Sequence, residues 1–400
     1  MLREIKKPNR DQAQRVLQCL GVAIRPLRVE ELAEVLAVDF EDAEGVPKLK
    51  PNWRWEDQEQ ALLASCSSLI AIIDTGDSRV VQFSHFSVKE FLASPRLATS
   101  SQDVSRYHIA LESAHTILAQ ACVSVLLHLP NRDEQDNVEK NGPLARYAAE
   151  YWVPHAQFED VASRIKGMEY LFDPDKPYFA AWRKLHDIDI DSRNSVFYQF
   201  TDWKSEVPTP LYYAALCGFR NLVEQLIVKH PQHVNATGGF YMTPAVAALA
   251  GRHFELAELL HRNGSSVDLR GHNRNSPLHS AVRYGDLEMT QVLLDYGLDV
   301  NLQNEIGTTP LGLATYGDFK DPRVIQLVLD HGADPNARRW NNITALHQAS
   351  ELGRIEIVRL LVERGARVEV EDDEGRTPLD VASGERRDEI LKLLLEHRAK

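Results

Sequence analysis

Residues 276–301 read SPLHSAVRYGDLEMTQVLLDYGLDVN, and three features of that run decide the fold. Ser276-Pro277 opens a helix: the hydroxyl oxygen caps free backbone N–H groups while proline occupies the first turn, where no hydrogen bond is lost. About ten residues on, Leu287, Val292, Leu293 and Leu294 fall at helical spacing and open a second amphipathic segment. Tyr296-Gly297-Leu298-Asp299-Val300-Asn301 then stops it, because Gly297 tolerates the left-handed conformation that ends a helix. The run is one helix–turn–helix followed by a turn.

Working outward, the same opening recurs. Thr209-Pro210-Leu211, Thr243-Pro244-Ala245, Ser276-Pro277-Leu278, Thr309-Pro310-Leu311, Thr344-Ala345-Leu346 and Thr377-Pro378-Leu379 follow at steps of 34, 33, 33, 35 and 33 residues. The second apolar pattern recurs too, as in Ile355, Ile357, Val358, Leu360 and Leu361, and so does the glycine stop, in His331-Gly332-Ala333 and Arg364-Gly365-Ala366. A unit this short cannot bury its own apolar face, so the copies must stack. Leu311, Ala314, Leu346 and Leu360 are expected in that stacking core.

Six such units, each with a projecting turn, resemble the ankyrin repeats. His279 and His347 match the family's Thr-Pro-Leu-His histidine. The resemblance implies that they bond within their own and neighbouring turns, a structural role. Departures are visible: Tyr212 and Asp380 replace that histidine in the first and last copies, and two extra residues fall within Asp318–Pro322. Asp388 and Lys392 suit a water-facing terminal cap. The family's frame leaves turn tips and first-helix positions free along a concave face. Those positions are Phe240, Tyr241, His272, Asn273, Glu305, Ile306, Trp340, Asn341, Asp373 and Glu374 at the tips, with Arg283, Tyr284 and Tyr316 on the first helices. Exposed Trp, Tyr and Arg dominate protein-interface energetics, so this set is the candidate protein-binding site.

The first two hundred residues read differently. Ala13, Val16, Leu17 and Leu20 place one helix over Gln12–Leu20; Val29, Leu32, Val35 and Leu36 give a second; a third spans Asp57–Ser68. Leu69–Asp74 and Arg79–Ser84 then form a hairpin about Thr75-Gly76-Asp77-Ser78. Three helices and a hairpin make a winged-helix arrangement. After it, Ser87 and Glu90 are expected to box the start of a short helix. Pro26–Ala33, Phe83–Leu92 and Leu144–Ala156 together resemble the winged-helix region that follows the nucleotide-binding NACHT module in fungal STAND receptor-like proteins. That resemblance implies a nucleotide-sensing role at His85. No G-x-x-x-x-G-K-[ST] cradle occurs in these residues, so a core role for His85 is expected instead. The expected organisation is mostly α: a tail at 1–10, a winged-helix-like domain at 11–100, a helical linker or cap at 101–200 and a solenoid of about six repeats at 201–400. In the linker, helices are expected over Tyr107–Leu129 and Gly142–Ala156, with the aromatic-rich stretch Tyr170–Phe200 as a cap on the first repeat.

Several chemistries are disfavoured. A net charge of −13 opposes non-specific attraction to nucleic acid or anionic lipid. The third helix, which would read DNA, begins Asp57-Gln58-Glu59-Gln60 and carries no cation. Cys19, Cys66, Cys122 and Cys217 are scattered, without zinc spacing, and suit reduced thiols in a cytosolic or nuclear compartment, the cytoplasm being expected. There is no G-x-S-x-G elbow, secretory leader or membrane-length apolar run. The sequence therefore points to a non-enzymatic protein-interaction scaffold with no cofactor and no metal. Its alternative is the regulatory and sensor portion of a NACHT-type NTP-switched receptor, with that module in cis or in trans.

Overall fold

A computed structural model describes residues 2–42, 45–66, 68–129, 142–188, 207–239, 241–268, 275–316, 322–383 and 387–398. The chain divides into two units: residues 1–192 with 219–225, and residues 193–218 with 226–400.

In the first unit, α1 (Arg10–Val22) and α2 (Val29–Leu36) carry the expected apolar faces inward, with Ala13, Val16, Leu17, Leu32 and Val35 buried. α3 (Gln58–Cys66) leads into the hairpin β4 (Ile70–Asp74) and β5 (Arg79–Phe83). Their register runs from Ile70 opposite Phe83 to Asp74 opposite Arg79. A third strand completes the sheet: β1 (Leu27–Arg28), just before α2, pairs with β5 through Leu27 and Val81. A small pair, β2 (Val38–Asp39) and β3 (Lys48–Leu49), closes the loop before α3. This is the winged helix.

One local expectation needs correction. The short helix α4 (Phe86–Leu92) begins two residues earlier than a Ser87 cap would allow. His85 itself is the cap, its Nδ1 accepting from the Ser87 backbone N–H at 3.2 Å. A capping side chain must stand at the helix end, so His85 is exposed rather than a core residue.

Two helices follow, α5 (Leu111–Leu126) and α6 (Ala145–Ala156). A carboxylate of α2 fastens the start of α6 to the winged helix. Glu34, 1% exposed, accepts from the Leu144 backbone N–H at 2.6 Å and pairs with Arg54. Arg28, just before α2, donates to the neighbouring Pro143 carbonyl at 3.2 Å. A buried carboxylate left without such partners would cost several kcal/mol, which is why both oxygens are engaged. Further on, α7 (Tyr178–Leu185) brings Trp182 edge-on to Trp152 of α6 at 5.3 Å. Phe172 and Phe219 complete this aromatic core, with Phe219 5.4 Å from Trp152. The aromatic stretch expected over Tyr170–Phe200 is described only to residue 188.

The second unit is a succession of short first helices and longer second helices. First helices run Pro210–Cys217, Pro244–Ala250, Pro277–Arg283, Pro310–Tyr316, Ala345–Glu351 and Pro378–Val381. Each opens on the anticipated hydroxyl. Thr209, Thr243, Ser276, Thr309, Thr344 and Thr377 all accept from the backbone N–H three residues on, at 3.3–3.4 Å. Second helices include Phe254–Arg262, Leu287–Asp295, Arg323–Asp330, Ile355–Glu363 and Arg387–Arg398. Leu311, Ala314 and Leu346 are buried as stacking requires. Leu360 is only half-buried; the helix is rotated so that Leu361, at 0% exposure, takes its place. Asp388 and Lys392 on the last helix are exposed.

The two histidines stitch neighbouring copies. His347 Nδ1 accepts from the Thr344 backbone N–H at 3.3 Å, so the proton of the neutral ring sits on Nε2, which donates to the Arg376 carbonyl at 3.1 Å. His279 does the same, from Ser276 at 3.2 Å to Thr308 at 3.0 Å.

Candidate interaction surface

The projecting turns are built by a shared local chemistry. In residues 304–308 the Asn304 side chain accepts from the backbone N–H groups of Ile306 (3.2 Å) and Thr308 (2.9 Å), folding the turn on itself. Gly307 then takes φ +72°, which only glycine adopts without strain. Residues 372–376 repeat the design. Asp372 accepts from Glu374 and Arg376, and Gly375 takes φ +73°. Its carboxyl is held below the usual range first by the Arg376 backbone N–H and then by the Arg376 side chain.

The turn between them departs from this. Arg339 stands where Asn304 and Asp372 stand, five residues before the cap, and a guanidinium cannot accept a hydrogen bond. The turn is held instead by two consecutive asparagines in left-handed conformation, Asn341 (φ +63°) and Asn342 (φ +57°), the best non-glycine residues for that region. Arg339 is released to lie over the Tyr316 ring, 4.9 Å from its centroid, and to donate to the Tyr316 hydroxyl.

Backbone bonds tie the three turns into a ridge. Trp340 N–H donates to the Ile306 carbonyl at 3.0 Å, and Asp373 N–H to the Asn341 carbonyl at 3.1 Å. The Asn342 side-chain amide adds a bond to Asp373 at 2.6 Å. On this fixed backbone Trp340 is 72% exposed, Ile306 49% and Tyr316 44%. The Trp340 ring has no aromatic or cation partner among the described residues. Glu305, Arg338, Asp373 and Glu374 are exposed around it.

Of the expected surface residues, Glu305, Ile306, Tyr316, Trp340, Asn341, Asp373 and Glu374 thus come together. Arg283 is exposed and Tyr284 half-buried, farther along the array. Phe240, His272 and Asn273 lie outside the described residues. Tyr241 is not a tip residue at all. Counted back from its cap Thr243, it occupies the position of Asn342 and Gly307, two residues before the hydroxyl. There it is 6% exposed, against Tyr284 and Met289 beside a small cavity. The Arg339–Tyr316 stack and the role of Asn342 escaped the sequence reading, although the same counting from Thr344 would have marked both Arg339 and Asn342 as unusual.

Comparison with known proteins agrees with this architecture. Residues 211–304, 244–339 and 311–400 match ankyrin repeats in three overlapping copies, and residues 2–102 match the winged helix domain of GPI inositol-deacylase type. Azaphilone pigments biosynthesis cluster protein L of Monascus ruber is 30% identical over 275 residues, 64% of this chain and 56% of that protein. That share exceeds what the repeats alone occupy. The ankyrin repeat domain-containing protein SAT10 of Stachybotrys chartarum is 29% identical over 163 residues, 40% of this chain and 8% of its own. Dog inversin is 33% identical over 174 residues, 43% and 16%. The chain spans about half the length of the first of these and less than a fifth of the other two. Ankyrin repeats and a winged helix are present in this protein.

Proposed function

We propose that the protein is a non-catalytic scaffold whose late turns, from Glu305 to Glu374, dock another protein. The observation that carries this reading is Trp340: a large aromatic side chain, 72% exposed, on a backbone already fixed by bonds to its neighbours. Interface energy concentrates in such anchors, and pre-fixing them lowers the ordering cost of binding. Ile306 supplies adjoining apolar surface, and the carboxylates of Glu305, Asp373 and Glu374 favour a partner with an apolar pocket and a basic rim. The docking module is assigned to residues 201–400, with 11–100 and 101–200 as its supporting regions. Four buried cysteines outside any disulfide suit a reducing compartment, and we place the protein in the cytoplasm. Among the described residues no helix is long and apolar enough to cross a membrane.

The test is a photo-crosslinking amino acid placed at 340, with a second at Val228, which is equally open at 79% exposure but lies on a second helix. In native lysate, position 340 is expected to capture a discrete partner and position 228 none. Equal capture at both positions overturns the assignment.

A second reading has one observation in its favour. The winged-helix match, together with the exposed position of His85, suits the regulatory part of a NACHT-type receptor, with that nucleotide-binding module in cis or in trans. It predicts that the chain binds a separately expressed NACHT module and that His85→Ala changes the nucleotide dependence of that complex. Binding that ignores ADP, ATP and His85 alike removes this reading.

A further inference from the structure

A different surface, in the first unit and independent of the ridge, carries its own inference. α4 packs its Leu92 inward, while Val88 and Phe91 line a groove of about 700 Å³ whose floor also includes Leu2, Leu69 and Val104. Phe91 is 45% exposed in it. The volume is that of a recognition pocket rather than a packing defect.

The rim is one-sided in charge. Arg3 lines the groove, exposed and without an ion pair or hydrogen bond to its side chain. Outside the lining, Glu4 follows Arg3 but already has a partner, and Lys6 and Lys7 come next, exposed and, among the described residues, unpaired; so is Arg96, whose carbonyl is held by the groove-lining Ser100 hydroxyl at 2.8 Å. The acids nearest Val104 are already paired, Asp103 with Arg10 at 3.1 Å and Asp11 with Arg106 at 2.7 Å. Glu90 is on α4 but not among the groove-lining residues, which follow the 87/91 and 88/92 stripe of the helix. Among the described residues no carboxylate lines the groove. In a chain of net charge −13, a cationic rim around an apolar floor is a local reversal of the protein's own field.

We infer that this groove receives an acidic amphipathic segment of a partner protein. Its apolar side chains enter between Val88, Phe91 and Leu2, and its carboxylates meet Arg3 and the lysines behind it. Charge complementarity selects this occupant: a basic segment meets Arg3, Lys6 and Lys7, while an uncharged one leaves the cations unused. A bilayer is the weaker match, because the remaining charge of the chain repels anionic lipid.

The experiment is a selection of random displayed peptides on the intact chain, with counter-selection on Phe91→Asp. The strongest peptide is then synthesised and titrated by fluorescence anisotropy. Enriched sequences should carry spaced Leu, Ile or Phe with Asp and Glu. Arg3→Glu should weaken the selected peptide about tenfold or more, higher salt should weaken it further, and Trp340→Ala should leave it unchanged. Both groove residues are exposed, so circular dichroism is expected to show both variants folded. The inference is overturned if no enrichment depends on Phe91, or if enriched peptides are basic or uncharged. It is also overturned if phosphatidylserine vesicles bind in an Arg3-dependent way and the peptides do not. A chain that self-associates in sedimentation and separates on Phe91→Asp would assign the groove to a second copy instead.

Discussion

His347→Ala is the perturbation whose cost the structure defines most fully. The ring is 2% exposed and satisfies two backbone groups at once, the Thr344 N–H of its own turn and the Arg376 carbonyl of the next. Without the ring the Thr344 amide, buried with its residue, has no replacement acceptor; an unpaired buried group costs about 1–3 kcal/mol. Arg376 is exposed, so its carbonyl recovers water and only the bond itself, about 1 kcal/mol, is lost. The sum is about 2–4 kcal/mol. Because repeat arrays couple through neighbours, the loss should appear first in the copy that follows. Native-state hydrogen exchange should show the amides of Ile390 and Leu394, in the last helix, exchanging about 30- to 700-fold faster. Amides in Pro244–Ala250 should change little. A loss below about 1 kcal/mol, or one spread evenly along the array, would refute the view that this histidine holds adjacent copies together.

Two further outcomes follow from burial. Tyr241→Ala should destabilise the array by about 3–4 kcal/mol in urea unfolding, as for a buried aromatic, whereas a solvent-facing tip residue would cost under about 1 kcal/mol. His155, fully buried between His115 (2.8 Å) and the Tyr147 hydroxyl (2.9 Å), is pushed down to about 4 by burial and then by His115. The unfolded chain therefore takes up a proton near pH 6.5 that the folded chain refuses, and stability falls as pH falls through that window. Between pH 6.5 and 5 the slope should reach about 1.4 kcal/mol per pH unit for this residue, and His155→Gln should flatten it. A slope unaltered by that substitution places the acid sensitivity elsewhere.

What the sequence disclosed was whatever repeats. Six hydroxyl caps, the glycine stops and the two stitching histidines each follow from spacing that backbone chemistry enforces, so their positions could be counted. The winged helix was legible for the same reason, through amphipathic spacing and a four-residue turn. Singular features were not. The family's frame puts Tyr241 at a tip, whereas its place two residues before Thr243 goes with a buried side chain. His85 was read as a core residue because no phosphate cradle was found, while the local need for a helix cap decided its place. The Arg339–Tyr316 stack depends on a side chain released from a turn that uses asparagines instead, and no period announces such an exchange. The groove at Phe91 unites residues from the first turn to Val104, a juxtaposition only the folded unit displays.

The ridge stands or falls on Trp340. The decisive measurement is the affinity of the captured partner for the intact chain and for Trp340→Ala, by titration calorimetry, with the urea stability of both proteins measured on the same samples. The account predicts a stability change under about 1 kcal/mol, because the ring touches little of its own fold, and a binding loss of about 2 kcal/mol or more, some thirtyfold in Kd. Equal affinities would contradict it, and so would a binding loss that merely tracks a loss of folding.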